Sequence, residues 1–134
     1  MIFNKDSIMK GDMIVMHEWE DLMMKKHSEV VCQNGGDILE IGFGMGISAG
    51  YIHSHSISSH TIVENHPQVI SKSREWASGK SNVTIISQSW ADVTGSLSTY
   101  DGIFYDTHMD YRSSLLSSSL SSLTKSGTKF TYWN

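Results

Sequence analysis

The chain has 134 residues, 39% of them hydrophobic and 18% charged, which is the composition of a single globular domain. Its formal net charge is −4 and no basic stripe runs through it, which argues against nucleic-acid binding through phosphate contacts. A single cysteine, Cys32, excludes an intramolecular disulfide, and no signal-peptide pattern or 18-residue apolar run is evident. We therefore expect a cytoplasmic protein that acts on a small-molecule substrate, without a nucleic-acid or membrane partner.

The first predicted elements are a helix, a strand and a second helix. Apolar residues recur at helical spacing over residues 14–32, and Asn34-Gly35-Gly36 ends the helix because glycine readily takes the left-handed conformation that follows a helix. Residues 37–41 then predict a short buried strand, which leads through the glycine-rich residues 42–46 into a helix over about residues 45–54.

Strands and helices continue to alternate along the rest of the chain. Predicted strands cover residues 60–64, 82–87, 100–106 and 128–134, and predicted helices cover about residues 67–77, 90–97 and 113–124. The serine-rich stretch over residues 113–126, which includes the last of these helices, could instead be a low-complexity linker, although four leucines give it an apolar face. Such alternation predicts parallel strand pairing through right-handed crossovers.

Glycines and acids gather at the predicted carboxyl ends of the strands, where parallel α/β sheets bind their ligands. The loop spacing is G-x-G-x-G, and its sixth position is Ile47, where the dinucleotide pattern has Gly or Ala. Glu40, two residues before the loop, would repel a pyrophosphate but tolerates the amino group and sulfonium of S-adenosyl-L-methionine (SAM). Glu64 ends the second strand, where an acid can accept hydrogen bonds from both ribose hydroxyls. These features favour SAM; the alternatives are a tight turn without a ligand and a solvated acid.

Two other groups of residues have competing interpretations. Trp90 follows the third predicted strand and could stack near an adenine, or it could anchor the helix after it. The chain has seven histidines but no cysteine cluster and no H-E-x-x-H helix, so we expect no metal site.

Several segments of the chain are similar, in order, to those of one enzyme family. They are residues 15–20 (VMHEWE), 39–47 (LEIGFGMGI), 60–64 (HTIVE), 90–93 (WADV), 100–107 (YDGIFYDT) and the C-terminal residues 125–134. Together they resemble guanidinoacetate N-methyltransferase and its relatives, including fungal arginine δ-N-methyltransferases. The resemblance implies a Rossmann-like class I methyltransferase fold, an α/β fold with a mostly parallel sheet flanked by helices.

The resemblance also implies a SAM-dependent methyltransferase domain over residues 14–134, behind a short N-terminal segment at residues 1–13. Seven strands are usual in that fold, so we expect the chain to be truncated after its fifth strand, with the C-terminal strands missing. The sheet edge that those strands would cover is then exposed, and self-association through that edge is a further expectation.

Site residues follow from the positions that match the family. From the first helix, Met16, Glu20 and Met24 would face the cofactor and the substrate. The loop residues Gly42, Phe43, Gly44, Met45, Gly46 and Ile47 would hold the methionine part of SAM, Glu64 would bind the ribose, and Ser89 and Trp90 would border the adenine. Glu40, Asn65 and His66 are further expected cofactor-binding residues. Asp106 would contact the accepting nitrogen as the catalytic residue, with Glu20 assisting.

Two carboxylates suit methyl transfer to a guanidino group. The sulfonium of SAM already activates the methyl group, so the enzyme mainly positions the nucleophile, and S-adenosyl-L-homocysteine is the product. A guanidinium, with a pKa above ~12, must lose a proton as the new bond forms. Glu20 and Asp106 can clamp its planar fork, and one of them can accept the proton. Alternatively, Asp106 caps a turn and Glu20 is a solvated acid.

We therefore predict an N-methyltransferase that acts on a small guanidino or amino compound, such as guanidinoacetate or arginine. Three alternatives remain open at this point. They are a methyltransferase with a different acceptor, a non-catalytic SAM-binding module and an NAD-dependent oxidoreductase.

Overall fold

The structure is a computed structural model that describes residues 10–89, 97–106 and 120–132, with side chains described from residue 20 onward. In chain order its elements are α1 (Lys10–Val31), β1 (Asp37–Ile41), α2 (Ile47–Ser54), β2 (Ser59–Val63), α3 (Pro67–Ala77), β3 (Val83–Ile86), β4 (Tyr100–Tyr105) and β5 (Thr124–Tyr132). Residues 120–123, just before β5, are helical. Within these ranges, no helix has the length and apolar character needed to cross a membrane.

The five strands form one parallel sheet in the order β3-β2-β1-β4-β5. The chain moves outward from β1 through β2 to β3 and then returns to the other side of β1, so the strand order reverses at β1. In open parallel sheets, such a reversal opens a crevice at the carboxyl ends of the strands concerned, here β1 and β4. The predicted α/β fold with parallel pairing is confirmed.

The hydrophobic core covers both faces of the sheet, because successive side chains of a strand point to opposite faces. Leu39 and Ile41 of β1 pack on one face. Ile38 and Phe104 belong to the other face, where they pack with Met24 of α1. Strands β1 and β4 are almost wholly buried, as expected for the central strands of a parallel sheet.

The C-terminal end of helix α1 lies close to the sheet at Gly102 of β4. A Cβ added there would lie 1.9 Å from the carbonyl oxygen of Val31, so the helix backbone occupies the space that a side chain would need. His27 of α1 stacks on Phe104 with the ring centroids 5.0 Å apart, and its Nδ1 lies 2.6 Å from Oγ1 of Thr131. These contacts hold α1 against β4 and β5.

The boundaries of both N-terminal helices differ from the prediction. Helix α1 begins at Lys10, earlier than residue 14. Helix α2 begins at Ile47, later than residue 45, because Gly44 and Gly46 adopt left-handed conformations with φ of +58° and +85°. An α-helix cannot contain such residues.

The region before the last strand also departs from the prediction. Strand β5 begins at Thr124 instead of residue 128, and its pairing with β4 is irregular between Tyr100 and Gly102. Gly127, with φ of +87°, therefore lies within the strand and does not separate a helix from it. Of the predicted helix over residues 113–124, residues 120–123 are helical, while residues 113–119 lie outside the described residues, as do residues 90–96 of the preceding predicted helix.

Candidate active site

The register of the sheet brings three functional positions to one edge. Ile41, the last residue of β1, is level with Val63 at the end of β2 and with Tyr105 at the end of β4. The next residue of each strand therefore lies at the same edge, and these residues are Gly42, Glu64 and Asp106. Backbone hydrogen bonds continue the alignment, because Gly42 N donates to Val63 O at 2.8 Å and Asp106 N donates to Ile41 O at 2.8 Å.

The loop between β1 and α2 depends on glycine at Gly46. Its φ of +85° is strained for other residues, and a Cβ there would lie 2.8 Å from Cζ of the Phe43 ring. The Phe43 ring is buried beneath the loop, where it packs against Ala49, Ile62 and Trp76. The Phe43 ring thus packs beneath the loop, and the contact of Phe43 with a cofactor stays a prediction.

Glu64 ties the glycine loop to the end of β2. Its Oε1 accepts the Phe43 N–H at 2.8 Å, and its Oε2 accepts the N–H groups of Asn65 and His66, both at 3.1 Å. Each carboxylate oxygen can accept about two hydrogen bonds, so Oε1 retains one acceptor position. Glu64 is half-buried, whereas Asn65 and His66 are exposed.

Glu40 lies beneath the loop and is fully buried. One of its oxygens accepts the hydroxyl of Ser48, in the first turn of α2, and the other lies 2.9 Å from Nε2 of His60 on β2. Sequence reasoning placed Glu40 at the cofactor and missed both of its partners. The sequence did contain an indication of the bond to His60. A histidine on a buried strand requires a polar partner, and His60 lies on the buried strand β2.

Asp106, directly after β4, has a strongly raised pKa. The pKa of Asp106 is raised to about 7, mainly by burial of the carboxyl and further by the negative charges of Glu40, Glu20 and Glu64. The charges of Glu20, Glu40 and Glu64 therefore act on the Asp106 carboxyl. A carboxyl group with a pKa near neutrality is suited to accept a proton.

The remaining predicted residues occupy varied environments. Met45 is 71% exposed on the loop, and Ile47 packs against the core beside α1. Met24 is 2% exposed and packs in the core, the ordinary role of a methionine, and its contact with a cofactor stays a prediction. Ser89 is half-buried after β3.

Two predicted residues cannot be placed at the site. Met16 lies within α1, but its side chain falls outside the described residues, and so does all of Trp90. Within the described ranges, no group of three or more His, Cys, Asp or Glu residues is arranged to hold a metal ion.

The combination of fold and edge defines a class of protein. A parallel sheet that reverses at β1, with a glycine loop after β1 and an acid after β2, is the arrangement of Rossmann-like nucleotide-binding folds. Solved methyltransferases share the fold. N-methyltransferase NodS from Bradyrhizobium japonicum WM9 superposes with a TM-score of 0.73 at 13% identity, over 86% of this chain and 67% of that chain. Human methyltransferase-like protein 13, in complex with SAH, gives a TM-score of 0.59 at 18% identity, over 82% and 59%. The fold is therefore that of the class I methyltransferases.

Sequence similarity identifies the family within this class. The model of the guanidinoacetate N-methyltransferase family matches residues 5–130, and the chain belongs to this family of SAM-dependent methyltransferases. The resemblance drawn from the separate motifs is thereby confirmed.

Individual relatives carry a related name. Protein arginine N-methyltransferase 2 of Aspergillus oryzae is 35% identical over 115 residues, which cover 80% of this chain and 28% of the relative. Its counterpart in Emericella nidulans is 32% identical over 146 residues, which cover 100% of this chain and 34% of the relative. The chain thus spans about a third or less of the length of these relatives.

Proposed function

We propose that this chain binds SAM and transfers its methyl group to a nitrogen of an arginine-like guanidino compound. The observation that carries the proposal is the half-buried Asp106, with its pKa raised to about 7, beside the glycine loop at the edge where β1 and β4 end. A proton acceptor in this place is what methylation of a guanidinium requires.

The glycine loop and Glu64 are suited to hold the cofactor. Glycines at this turn let a ligand approach the backbone closely, and Glu64 retains an acceptor position for a ribose hydroxyl. To accept from both ribose hydroxyls, Glu64 must also use Oε2, where a hydroxyl would share an acceptor position with the N–H of Asn65 or His66. The surrounding negative charges favour a cationic ligand over a dinucleotide.

The acids at the edge are suited to hold the acceptor. When bound, SAM supplies a methyl group that its positively charged sulfur has already activated. Asp106 and Glu20 orient the guanidinium through paired hydrogen bonds, so that one nitrogen faces the methyl carbon. As this nitrogen forms its new bond to carbon, Asp106 takes the proton that the nitrogen releases, and the charge of Asp106 is neutralised.

The relatives' name supports an arginine-like acceptor, and the net charge of −4 argues against a nucleic acid. A cytoplasmic location belongs to the same proposal.

Calorimetry and mass spectrometry test the proposal in two steps. Titration of the chain with SAM and with S-adenosyl-L-homocysteine should give saturable heats. A fluorescence titration with NADH should show no binding. Incubation with SAM and guanidinoacetate, arginine or an arginine-containing peptide should then yield a product heavier by one methyl group. If the peptide is methylated and the two small molecules are not, the acceptor is a protein arginine. SAM binding without any product would identify a non-catalytic binding module, and no SAM binding by folded protein would refute the proposal.

A further inference from the structure

A buried polar network lies directly beneath the glycine loop. Glu40 and His60 are fully buried and Ser48 is 3% exposed, and the carboxylate of Glu40 joins the other two side chains. The network links three elements, because Glu40 is on β1, Ser48 on α2 and His60 on β2. A buried carboxylate is costly unless hydrogen-bond donors satisfy it, so its position depends on these two partners.

The direction of the bond between His60 and Glu40 follows from the surroundings of the imidazole. Nε2 lies 2.9 Å from Oε1 of Glu40, while Nδ1 has no hydrogen-bond partner among the described residues. A neutral ring with its proton on Nδ1 would bury an unsatisfied donor and set a lone pair of Nε2 against the carboxylate. The neutral tautomer protonated on Nε2 and the doubly protonated ring both donate to Glu40. We therefore assign the donor role to His60 Nε2.

The hydrogen bond between Glu40 and Ser48 closes the base of the loop. Glu40 precedes the loop residues 42–46 and Ser48 follows them, so this bond joins the two ends of the loop. The glycines themselves have no side chains that could fix the conformation. Among the described residues, Glu64 adds a second side-chain hydrogen bond to the loop, which it accepts from Phe43 N.

We propose that His60 is a positioning residue of the cofactor site, which donates to Glu40 and so holds the carboxylate where it closes the glycine loop for SAM. This inference rests on the proposed function for the identity of the ligand. Among the described residues, the hydrogen bond of His60 goes to Glu40 and not to the loop backbone, so His60 acts through Glu40.

The chain offers a matched control in His53. The rings of His53 and His60 both meet the ring of Trp76 edge-on at an interplanar angle of 81°, with centroid distances of 5.7 and 5.9 Å. Of the two histidines, only His60 bonds to Glu40 among the described contacts. Replacing either histidine by leucine removes a ring from Trp76, but only His60→Leu removes a donor from the carboxylate.

The test compares His60→Leu, His60→Gln, Ser48→Ala and His53→Leu with the wild-type chain. SAM dissociation constants are measured by calorimetry, and hydrogen exchange of loop amides is measured without ligand. We expect His60→Leu and Ser48→Ala to weaken SAM binding by at least about tenfold and to speed loop exchange by a similar factor. His60→Gln, whose amide can donate in place of Nε2, and His53→Leu should stay near wild type in both measurements.

Each outcome decides the inference. Wild-type affinity and exchange in folded His60→Leu would overturn it, and so would equal losses in His60→Leu and His53→Leu, since the effect would then be packing alone. Failure of glutamine to restore affinity would also count against it. If His60→Leu does not fold, His60→Gln near wild type together with a loss in Ser48→Ala supports the inference, and wild-type values in Ser48→Ala overturn it. If the wild-type chain does not bind SAM, the proposed function fails, and loop exchange alone still judges the role of His60.

Discussion

Asp106 lowers the stability of the folded chain as the pH rises. Its pKa is about 7 in the fold, against about 3.9 for a solvated aspartate, so the folded state binds more protons between these values. Stability that depends on this group is therefore lost as pH increases from about 4 to 7. We expect Asp106→Asn to raise the melting temperature at about pH 8 by several degrees, where 1 kcal/mol corresponds to about 4 °C, and to change it little at about pH 4. Thermal denaturation at both pH values measures this.

Asp101, on the strand that Asp106 follows, provides the opposite case. A hydrogen bond from the Asp37 N–H lowers the pKa of Asp101, and the Lys125 side chain, 3.1 Å away, lowers it further. Its contribution to stability is present at neutral pH and is lost as the pH falls. Asp101→Asn should therefore lower the melting temperature at neutral pH. For the prediction on Asp106, a melting temperature of Asp106→Asn below that of the wild-type chain at about pH 8 would contradict the raised pKa of Asp106.

The same substitution separates catalysis from cofactor binding. Because Asp106 accepts the proton in the proposed reaction, we expect Asp106→Asn to lower turnover by about 10²–10⁴-fold. SAM affinity should change only a few-fold, since the loop and Glu64 retain their contacts. Steady-state kinetics and calorimetry on one preparation measure both quantities. Unchanged turnover in the variant would remove Asp106 from the mechanism.

The pH dependence of the reaction reports the free Asp106 carboxyl. We expect kcat/KM to fall about tenfold per pH unit below an apparent pKa of about 7, because protonated Asp106 cannot accept a proton. Bound cationic reactants favour the ionised carboxylate, so the corresponding limb of kcat should lie at lower pH. Rate profiles from about pH 5.5 to 8.5 measure both limbs. A flat kcat/KM across this range would be incompatible with Asp106 as the base.

At the scale of elements, the loop between β1 and α2 is the part most sensitive to a single methyl group. We expect Gly46→Ala to weaken SAM binding by at least about tenfold, because it combines an unfavourable φ with a contact of 2.8 Å to the Phe43 ring. Gly50→Ala is the matched control, since Gly50 lies in α2 with nothing within 4 Å of its added Cβ. It should bind SAM normally and gain about 0.5–1 kcal/mol of stability. Equal affinities for both variants would show that the loop conformation does not matter.

The sequence predicted the elements whose determinants are local. The glycine spacing after a short apolar strand predicted the loop, and the acids that follow the strands predicted the edge at which Glu64 and Asp106 meet. The start of β5 depends on its pairing with β4, which is not encoded locally, so its first residues were assigned to a helix and a turn. Likewise, the contact of His60 with Glu40 joins residues on different strands, and no local pattern specifies it.

The whole molecule concentrates negative charge where the proposed reactants are positive. Glu20, Glu40, Glu64 and Asp106 lie on α1, β1 and the loops after β2 and β4, and their proximity raises the pKa of Asp106. Two cationic reactants would offset the negative charges that act on Asp106. Binding of SAM should therefore stabilise the fold beyond its packing contacts.

The two edge strands of the sheet differ in length, and this difference leads to a prediction about self-association. Strand β3 has four residues, whereas β5 has nine and pairs only with β4 within the part of the chain that the structure describes. A long unpaired edge is a template for another strand, and Tyr132 on it is 60% exposed. We expect the chain to self-associate through β5 with increasing concentration and Tyr132→Lys to reduce the association, because lysine on an edge disfavours pairing. Sedimentation velocity measures this, with Thr84→Lys on the exposed side of β3 as the control. A monomer at all concentrations, or equal disruption by both variants, would exclude β5 as the interface.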